Sequence, residues 1–529
     1  MAVKTETKIQ REITTTWTTQ KSGRQQHQSE WPTQSKAARE AERRQKYHEA
    51  DVVVVGAGVF GCAVAYALAE QGRSVILLER WMHEPDRIVG ELLQPGGVAA
   101  LRKLGLGRCL EGIDAVPCYG YHVLFHGEQV VFPYPRVDEE TGQVRHNEDD
   151  EKRPEGRSFH HGRFVMQLRR ACGGHPNITV FETDVVSTVR GEHDRDLVLG
   201  VQTRTTDRAT GEKSDDCFFG QITVIADGYA SQFRREYLGE KAAPVVRSKF
   251  YALELIDCPF PPQGYGHVVI GKAMPVLLYQ IGSRETRALI DVPANLPAAR
   301  PENGGVRGYI EKCVVPALPE GVRPSVLEAL KDGKIPRSMP NSYLAPSRQD
   351  RQSTKGVILA GDAYNMRHPL TGGGMTVALN DAVLLTELLS PERTPKGLGD
   401  AETVRAALKE FYWRRKALTS IINVLAQALY SLFSAEDRQL RALQAGCFRY
   451  FEMGITDEPV GMLGGMIRRP LTLAYHFFSV ALVGVWLNAL ERTGGGKRVW
   501  MWPVAGWDAV LILWTACVVF LPVCWYEST

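Results

Sequence analysis

A glycine cluster early in the chain has the spacing of a phosphate-binding turn. Gly56, Gly58 and Gly61 form G-x-G-x-x-G directly after the apolar run 51–55. In such a turn the first glycine permits a tight bend, the second lets a pyrophosphate approach the backbone, and the third lets the next helix pack close to the strand. The helix N-terminus then presents free N–H groups to the phosphates. Because this spacing also occurs by chance, the surrounding elements decide what it means.

The neighbouring residues complete a strand–helix–strand unit. The β-branched run 51–55 predicts a parallel strand buried on both faces, and the segment 62–71 predicts a helix. A second apolar strand over 74–78 ends at Glu79, whose carboxylate could accept both ribose hydroxyls of an adenosine. The unit predicts dinucleotide binding, but it does not separate FAD from NAD(P).

A second cluster far downstream favours FAD. Asp362 follows the apolar strand predicted at 356–360 and could hydrogen-bond the ribitol hydroxyls of a flavin. Glycines at 372–374 let the backbone pass close to a flat ring, and a helix over 376–389 would stabilise negative charge on the N1/C2=O edge of reduced flavin. The sequence has no second G-x-G-x-x-G unit, no separate nicotinamide domain and no cluster of metal ligands. We therefore predict FAD as the cofactor and no metal.

Composition limits the class of protein. The 63 Lys and Arg against 60 Asp and Glu among 529 residues leave a net charge of +3, which gives no electrostatic reason to expect nucleic acid as a partner. The mean hydropathy of −0.20 excludes a polytopic membrane protein, though not a tail anchor. Two apolar stretches, 471–490 and 507–525, approach the length that crosses a bilayer. Membrane attachment is favoured over a buried helix pair, and whether the stretches span or lie in one leaflet is left open.

The order of these patterns predicts an α/β fold. It combines a Rossmann-like FAD-binding domain, a β-sheet substrate domain and a C-terminal helical, membrane-associated region. The predicted segments are a disordered polar tail at 1–48, the first part of the FAD-binding domain at 49–243 with a loop insertion at 136–157, the substrate domain at 244–345, the second part of the FAD-binding domain at 346–400, and the helical region at 401–529.

Three runs of sequence carry a resemblance to a known family. The runs 84–97 (EPDRIVGELLQPGG), 160–164 (HHGRF) and 361–375 (GDAYNMRHPLTGGGM) resemble squalene monooxygenases (squalene epoxidases), and the likeness extends from about residue 50 to the end of the chain. The short polar N-terminal segment resembles that of fungal members. The resemblance implies a flavin monooxygenase fold of the p-hydroxybenzoate hydroxylase type. It also implies a C-terminal helix pair in the endoplasmic reticulum membrane, with the catalytic domain in the cytosol.

The resemblance also implies a reaction. Squalene, O2 and reducing equivalents would give (S)-2,3-epoxysqualene in sterol (ergosterol) biosynthesis. Electrons would come from NADPH through a separate cytochrome P450 reductase, which agrees with the lack of a nicotinamide domain. Our mechanistic hypothesis transfers the distal oxygen of a flavin C4a-hydroperoxide to a terminal alkene, while the protein supplies shape, desolvation and a hydrogen-bond donor.

The resemblance assigns contacts to the adenosine and pyrophosphate half of FAD. Val59 and Phe60 would touch the pyrophosphate through backbone N–H groups, beside the glycines of the turn. Glu79 and Arg80 fall at the ribose position. Val185 matches a backbone contact to adenine.

The resemblance assigns further contacts to the flavin half and to the active site. Arg87 and Arg169 match flavin-contacting arginines, whereas Asp362 and Met375 match ribitol and isoalloxazine contacts. In addition, the active-site tyrosine of the family and the glutamine that it hydrogen-bonds correspond to Tyr121 and Gln94.

Two other functions use the same motifs. A soluble aromatic hydroxylase would share the fold, but it would gain nothing from two terminal apolar stretches and should oxidise NAD(P)H unaided. A non-catalytic membrane-bound lipid sensor would bind FAD and squalene and yield no O2-dependent product. The intact motifs favour the epoxidase, and product analysis separates the three.

Overall fold

The computed structural model describes residues 35–138, 141–145, 153–240, 242–271, 273–331, 336–344, 352–435 and 437–528. The strands are β1 (Glu49–Val55), β2 (Val75–Glu79), β3 (Leu92–Leu93), β4 (Val116–Cys118), β5 (Gly120–Phe125), β6 (Glu128–Pro133), β7 (Gly156–Ser158), β8 (Ile178–Glu182), β9 (Asp184–Arg190), β10 (Val198–Thr206), β11 (Lys213–Ile225), β12 (Val245–Ile256), β13 (Gly266–Ile270), β14 (Val276–Gln280), β15 (Glu285–Pro293), β16 (Arg337–Tyr343) and β17 (Val357–Leu359). The α-helices are α1 (Lys36–Lys46), α2 (Val59–Glu70), α3 (Pro95–Lys103), α4 (His161–Gly173), α5 (Arg234–Leu238), α6 (Gly305–Tyr309), α7 (Val315–Ala317), α8 (Arg323–Ala329), α9 (Gly374–Leu388), α10 (Ala401–Phe433), α11 (Arg438–Glu452), α12 (Asp457–Leu463), α13 (Pro470–Thr493) and α14 (Trp502–Ser528).

The first large sheet is the predicted dinucleotide-binding unit. Its strands run in the order β8-β2-β1-β11-β10-β9, with β17 paired to β11. The pairs β8–β2, β2–β1, β1–β11 and β11–β17 are parallel, and β9–β10–β11 is an antiparallel meander. The residues of β1 from Val52 to Val55 are 0–5% exposed, which confirms a strand buried on both faces.

Helices cover one face of this sheet. Val52 and Val54 of β1 join a core with side chains of α2, α4, α9 and α10. Val53 and Val55 point to the opposite face and join a second core with Val185 and Val201 of the meander. This sandwich fixes the strand ends, and with them the turns that follow β1 and β17.

A second sheet lies in front of these turns. Its strand order is β16-β12-β15-β14-β13-β5-β6, antiparallel throughout except for the parallel pair β13–β5. The hairpin β5–β6 thus comes from the segment that the sequence assigned to the FAD-binding domain. Its register is fixed by β13, where Gly266 pairs with Tyr121. A small third sheet, β3-β7-β4, joins the segments around Gln94 and His160.

Three helices of the described chain are long and apolar enough to cross a membrane. They are Ala401–Phe433, Pro470–Thr493 and Val499–Trp525, with mean hydropathies of 1.2, 1.6 and 2.1. The two that the sequence predicted are mostly unburied, because 33% and 28% of their apolar windows lie inside the protein against 56% for Ala401–Phe433. Large apolar side chains such as Leu471, Trp486 and Trp514 are 60–86% exposed, as expected of a surface that faces lipid.

Two polar segments differ from expectation or lie partly outside the described residues. The tail predicted to be disordered is outside them up to residue 34, but 36–46 form α1. Its sequence of Lys, Ala, Arg, Glu and Gln consists of strong helix formers. Arg44 is buried and bonds Ser74 Oγ, Thr179 Oγ1 and the Pro176 carbonyl. The loop predicted at 136–157 lies outside the described residues at 139–140 and 146–152.

Candidate active site

A cleft lies between the two large sheets. The turn after β1 and the segments after β17 line one side, through Gly58, Val59, Asp362 and Met375 among others. The second sheet lines the other side with the apolar residues Val268, Leu277, Leu289 and Met339. The second sheet also contributes Tyr279, Asn341 and Ser342 to the lining. A glycine-rich wall therefore faces one that is apolar in large part, which suits a cofactor and a mainly apolar substrate.

The glycine turn fits a phosphate-bearing ligand. Gly56 has φ +98°, and a Cβ there would lie 2.5 Å from the Ala226 carbonyl oxygen. A Cβ on Gly61 would lie 1.8 Å from the Gly56 oxygen, so the first turn of α2 sits directly against the strand end. A Cβ on Gly58, by contrast, would meet nothing within 4 Å. Open space in front of Gly58, at the N-terminus of α2, is where a pyrophosphate would bind.

Glu79 and Arg169 brace this turn. Glu79 Oε2 accepts a 2.7 Å hydrogen bond from Ala57 N and lies 3.2 Å from Arg169 Nη2. The buried Arg169 also donates to the backbone oxygens of Ala57, Trp81 and His83. Every nitrogen of the Arg169 guanidinium thus contacts the protein itself. A cofactor role for either side chain stays a prediction, whereas the support of the turn is observed.

Arg87 and Asp362 face each other across the cleft. Arg87 Nη2 lies 3.8 Å from Asp362 Oδ2, and its guanidinium lies 5.4 Å from the ring of Tyr229. Arg87 Nε is buried and has no hydrogen-bond partner within the described residues. Asp362 is held from behind, because Arg234 Nη2 donates to its backbone oxygen at 2.9 Å. An unused donor beside a carboxylate fits a ligand that carries phosphates and hydroxyls, as FAD does.

Tyr121, Gln94 and Tyr134 form a buried hydrogen-bonded network. Gln94 Nε2 donates to Tyr121 OH at 2.7 Å and to the Thr371 oxygen at 2.9 Å, while Tyr134 OH donates to Gln94 Oε1. Burial raises the pKa of both tyrosines, so both hydroxyls stay protonated. The network joins β5 to the Gly372 turn, and Tyr121 lines the cleft.

A buried ion pair closes the same cleft from the second sheet. Arg287 Nε and Nη2 each donate to a different carboxylate oxygen of Glu91 at 2.8 Å, and Tyr279 OH donates to Glu91 Oε2 at 3.3 Å. Burial raises the pKa of Glu91, and the bidentate contact with Arg287 opposes that effect. Sequence reasoning missed Arg287, Tyr279 and Tyr134, because no local spacing links them to the motifs.

The structure brings half of the predicted site residues to the lining of the cleft. Those that line it are Gly58, Val59, Phe60, Arg87, Tyr121, Asp362 and Met375. Gln94, Glu79 and Arg169 contact the same elements from behind. Arg80 is exposed, with its guanidinium 4.8 Å from the Trp81 ring, and Val185 is buried in β9 with its carbonyl bonded to Gln232. The ligand roles of all these residues remain predictions.

Comparisons with known proteins now identify the family. Residues 219–501 match the family model "Squalene epoxidase", and 51–84 match "FAD dependent oxidoreductase". Squalene epoxidase ERG1 of Gibberella zeae is 62% identical over 92% of this chain and 97% of its own length, and squalene epoxidase erg1 of Aspergillus fumigatus is 50% identical over 91% and 94%.

The fold has relatives among solved structures. Pseudomonas aeruginosa PqsL, described as a probable FAD-dependent monooxygenase, superposes with a TM-score of 0.59 at 22% identity, over 76% of this chain and 100% of its own. The predicted fold class, the fungal-like resemblance and the FAD-dependent monooxygenase class are thereby confirmed. This chain belongs to the squalene epoxidase family.

Proposed function

We propose that this chain epoxidises squalene with O2 to (S)-2,3-epoxysqualene in sterol (ergosterol) biosynthesis, with FAD as cofactor. One observation carries the proposal beyond family membership: the glycine turn and Asp362 share a single cleft with the apolar wall of the second sheet. Squalene is a hydrocarbon without polar atoms, so it needs such a wall.

Different residues of the cleft would bind the cofactor, enclose the substrate and fix the cleft wall. Bound FAD supplies the activation of O2, which no side chain can provide. The turn at Gly58 and the pair Arg87–Asp362 would hold the cofactor, and Leu277 and Leu289 would enclose the polyene and exclude water. Tyr121, fixed by Gln94, would hold the cleft wall in one position. Selectivity for one terminal alkene would then follow from the length of the apolar pocket.

The helical region supports access from a membrane. A second cavity is lined by Val518, Val519, Pro522 and Val523 of α14, and it shares Met366 and Arg367 with the cleft. A hydrocarbon dissolved among lipid chains would thus meet, beside α14, a cavity that adjoins the site. This arrangement fits residence on the endoplasmic reticulum membrane with the catalytic part in the cytosol, where an NADPH-dependent reductase is accessible.

The same proposal assigns the electron donor and the division of the chain. As the family resemblance implies, NADPH would deliver electrons through a separate cytochrome P450 reductase, which agrees with the single G-x-G-x-x-G unit of the sequence. Residues 49–243 and 346–400 would hold the cofactor and 244–345 would cover the substrate. The hairpin β5–β6, although it precedes residue 244, belongs to the same sheet as the strands of 244–345.

Product analysis by mass spectrometry tests the function. Detergent-solubilised protein would receive squalene, FAD, O2 and NADPH, with and without cytochrome P450 reductase. We expect a mono-epoxide only when the reductase is present. An aromatic hydroxylase would oxidise NADPH without the reductase, and a lipid sensor would retain flavin and give no epoxide under either condition. Either result would overturn the proposal.

A further inference from the structure

Arg367 is a cation at the junction of the two cavities. It lines both the cleft and the second cavity beside α14. Its Nε donates to Asn423 Oδ1 at 2.7 Å, and its Nη2 donates to Asn365 Oδ1. Both partners are neutral amides. Among the described residues, no carboxylate lies within ion-pair distance of this guanidinium.

In this respect Arg367 differs from two other arginines, Arg415 and Arg287. Arg415 pairs with Asp381 at 2.5 Å, and Arg287 pairs with Glu91 at 2.8 Å. Burial lowers the pKa of Arg367 to about 10, so the group stays charged at neutral pH. Asp362, Asp381 and Glu527 favour the charged form without forming an ion pair, so the partly buried guanidinium can still take an anionic partner from outside the protein.

The unused donor of Arg367 is directed at the cleft. Its Nη1 makes no hydrogen bond to any residue of the described ranges. A Cβ built on Gly374 would lie 3.9 Å from this Nη1. Gly374 lines the cleft and begins α9, whose N-terminus carries the partial positive charge of the helix dipole. Two sources of positive potential therefore meet at one point of the wall.

We propose that Arg367 is the counter-charge of the flavin, and that with the α9 N-terminus it stabilises negative charge on the N1/C2=O edge of reduced FAD. The inference rests on the proposed FAD site. Squalene has no charge that could pair with a guanidinium, and the open space before Gly58 at the other helix N-terminus is where the phosphates would bind. The flavin ring is the remaining partner that gains negative charge during turnover.

Sulfite binding and the reduction potential of the bound flavin test the proposal without measuring turnover. Sulfite adds to oxidised flavin and leaves negative charge on the same edge, so its affinity reports the local potential. We expect Arg367→Met to raise the sulfite Kd about 10- to 100-fold, the range for losing a hydrogen bond to a charged group. Tenfold corresponds to about 30 mV in a two-electron potential, which should fall. Arg367→Lys should keep both values near wild type.

The control removes an equal charge elsewhere. Arg247→Met takes an exposed cation from the second cavity and should change neither the sulfite Kd nor the potential. If Arg367→Met does not fold, Arg367→Gln, which keeps an amide donor for Asn423, is measured instead. Unchanged sulfite affinity and potential in a flavin-loaded variant would overturn the role of Arg367 alone. Wild-type protein that binds no flavin would instead overturn the proposed function.

Discussion

At the scale of single residues, the site depends on how buried polar groups share their partners. Gln94 is fully buried, and both ends of its amide are used: Nε2 bonds Tyr121 and Thr371, and Oε1 accepts from Tyr134. Loss of either tyrosine hydroxyl therefore has a different consequence. Without the Tyr121 hydroxyl the amide nitrogen still has Thr371, whereas without the Tyr134 hydroxyl the amide oxygen has no remaining partner among the described residues.

Tyr121→Phe and Tyr134→Phe should separate these roles. We expect Tyr121→Phe to slow epoxidation by about tenfold while FAD stays bound, because the cleft wall loses one hydrogen bond. Tyr134→Phe should lower the free energy of unfolding more than Tyr121→Phe does, by about 1–3 kcal/mol, because it leaves the buried Gln94 Oε1 without a hydrogen-bond donor. Turnover with the reductase and urea denaturation measure the two effects.

The control for this pair is Tyr119→Phe. Tyr119 is 42% exposed and its hydroxyl does not contact Gln94, so neither turnover nor stability should change. Equal turnover of Tyr121→Phe and wild type would contradict the role of Tyr121 in the cleft. Equal stability of the Tyr121 and Tyr134 variants would contradict the difference in how Gln94 is satisfied.

Sequence alone reached only part of this network. The resemblance supplied Gln94 and Tyr121, and the structure places them 2.7 Å apart. Tyr134 lies 40 residues beyond Gln94 and belongs to no motif. Its position depends on the turn of the hairpin β5–β6, which brings Tyr134 back beside Tyr121 with a ring distance of 5.7 Å. Arg367 belongs to the run 361–375 that carries the family resemblance, but its lack of an ion pair is visible only in three dimensions.

At the scale of elements, the turn between β1 and α2 contains glycines with opposite requirements. A methyl group on Gly61 would collide with the Gly56 oxygen at 1.8 Å, inside the protein. A methyl group on Gly58 would enter open space. Gly61 allows α2 to pack against the strand end, whereas Gly58 leaves room for a ligand.

Gly58→Ala should therefore impair FAD binding, whereas Gly61→Ala should impair stability. Gly58→Ala should leave the Tm of the flavin-free protein near wild type and weaken FAD binding, since the methyl group occupies the space of the pyrophosphate. Gly61→Ala should destabilise the flavin-free protein by about 1–3 kcal/mol or more, because α2 must move away from β1. Thermal melts of the flavin-free proteins and FAD titrations measure both. Normal FAD affinity in Gly58→Ala would place the pyrophosphate elsewhere.

Element prediction succeeded where the pattern was local. The strand over 51–55 and its buried faces were readable from the run of valines, and the helix after the glycine turn begins at Val59. The membership of β5 and β6 in the second sheet was not readable. Their partner β13 starts more than 130 residues later, and the parallel pairing of Tyr121 with Gly266 has no local signature.

At the scale of the whole molecule, the distribution of exposed apolar surface explains how the fold meets a membrane. Polar contacts hold α14 near both of its ends: Arg492 Nε of α13 lies 2.9 Å from Asp508, and Asn423 Nδ2 of α10 lies 2.7 Å from Glu527. Between these anchors, α14 exposes large side chains such as Trp514, 68% exposed. The protein thus fixes one face of α14 and offers the other to lipid, next to the cavity that adjoins the cleft.

A charge on this outer face should release the protein from membranes without unfolding it. Trp514 lies near the middle of α14, where a lysine costs about 3 kcal/mol in a bilayer, so Trp514→Lys should reduce binding to liposomes roughly a hundredfold. Leu327→Lys is the matched control, because Leu327 is a 46% exposed apolar residue on α8, away from the apolar helices. Flotation with liposomes measures binding, and circular dichroism verifies the fold. If both variants float as wild type does, the exposed face of α14 does not contact lipid, and access of squalene along that helix would have to be abandoned.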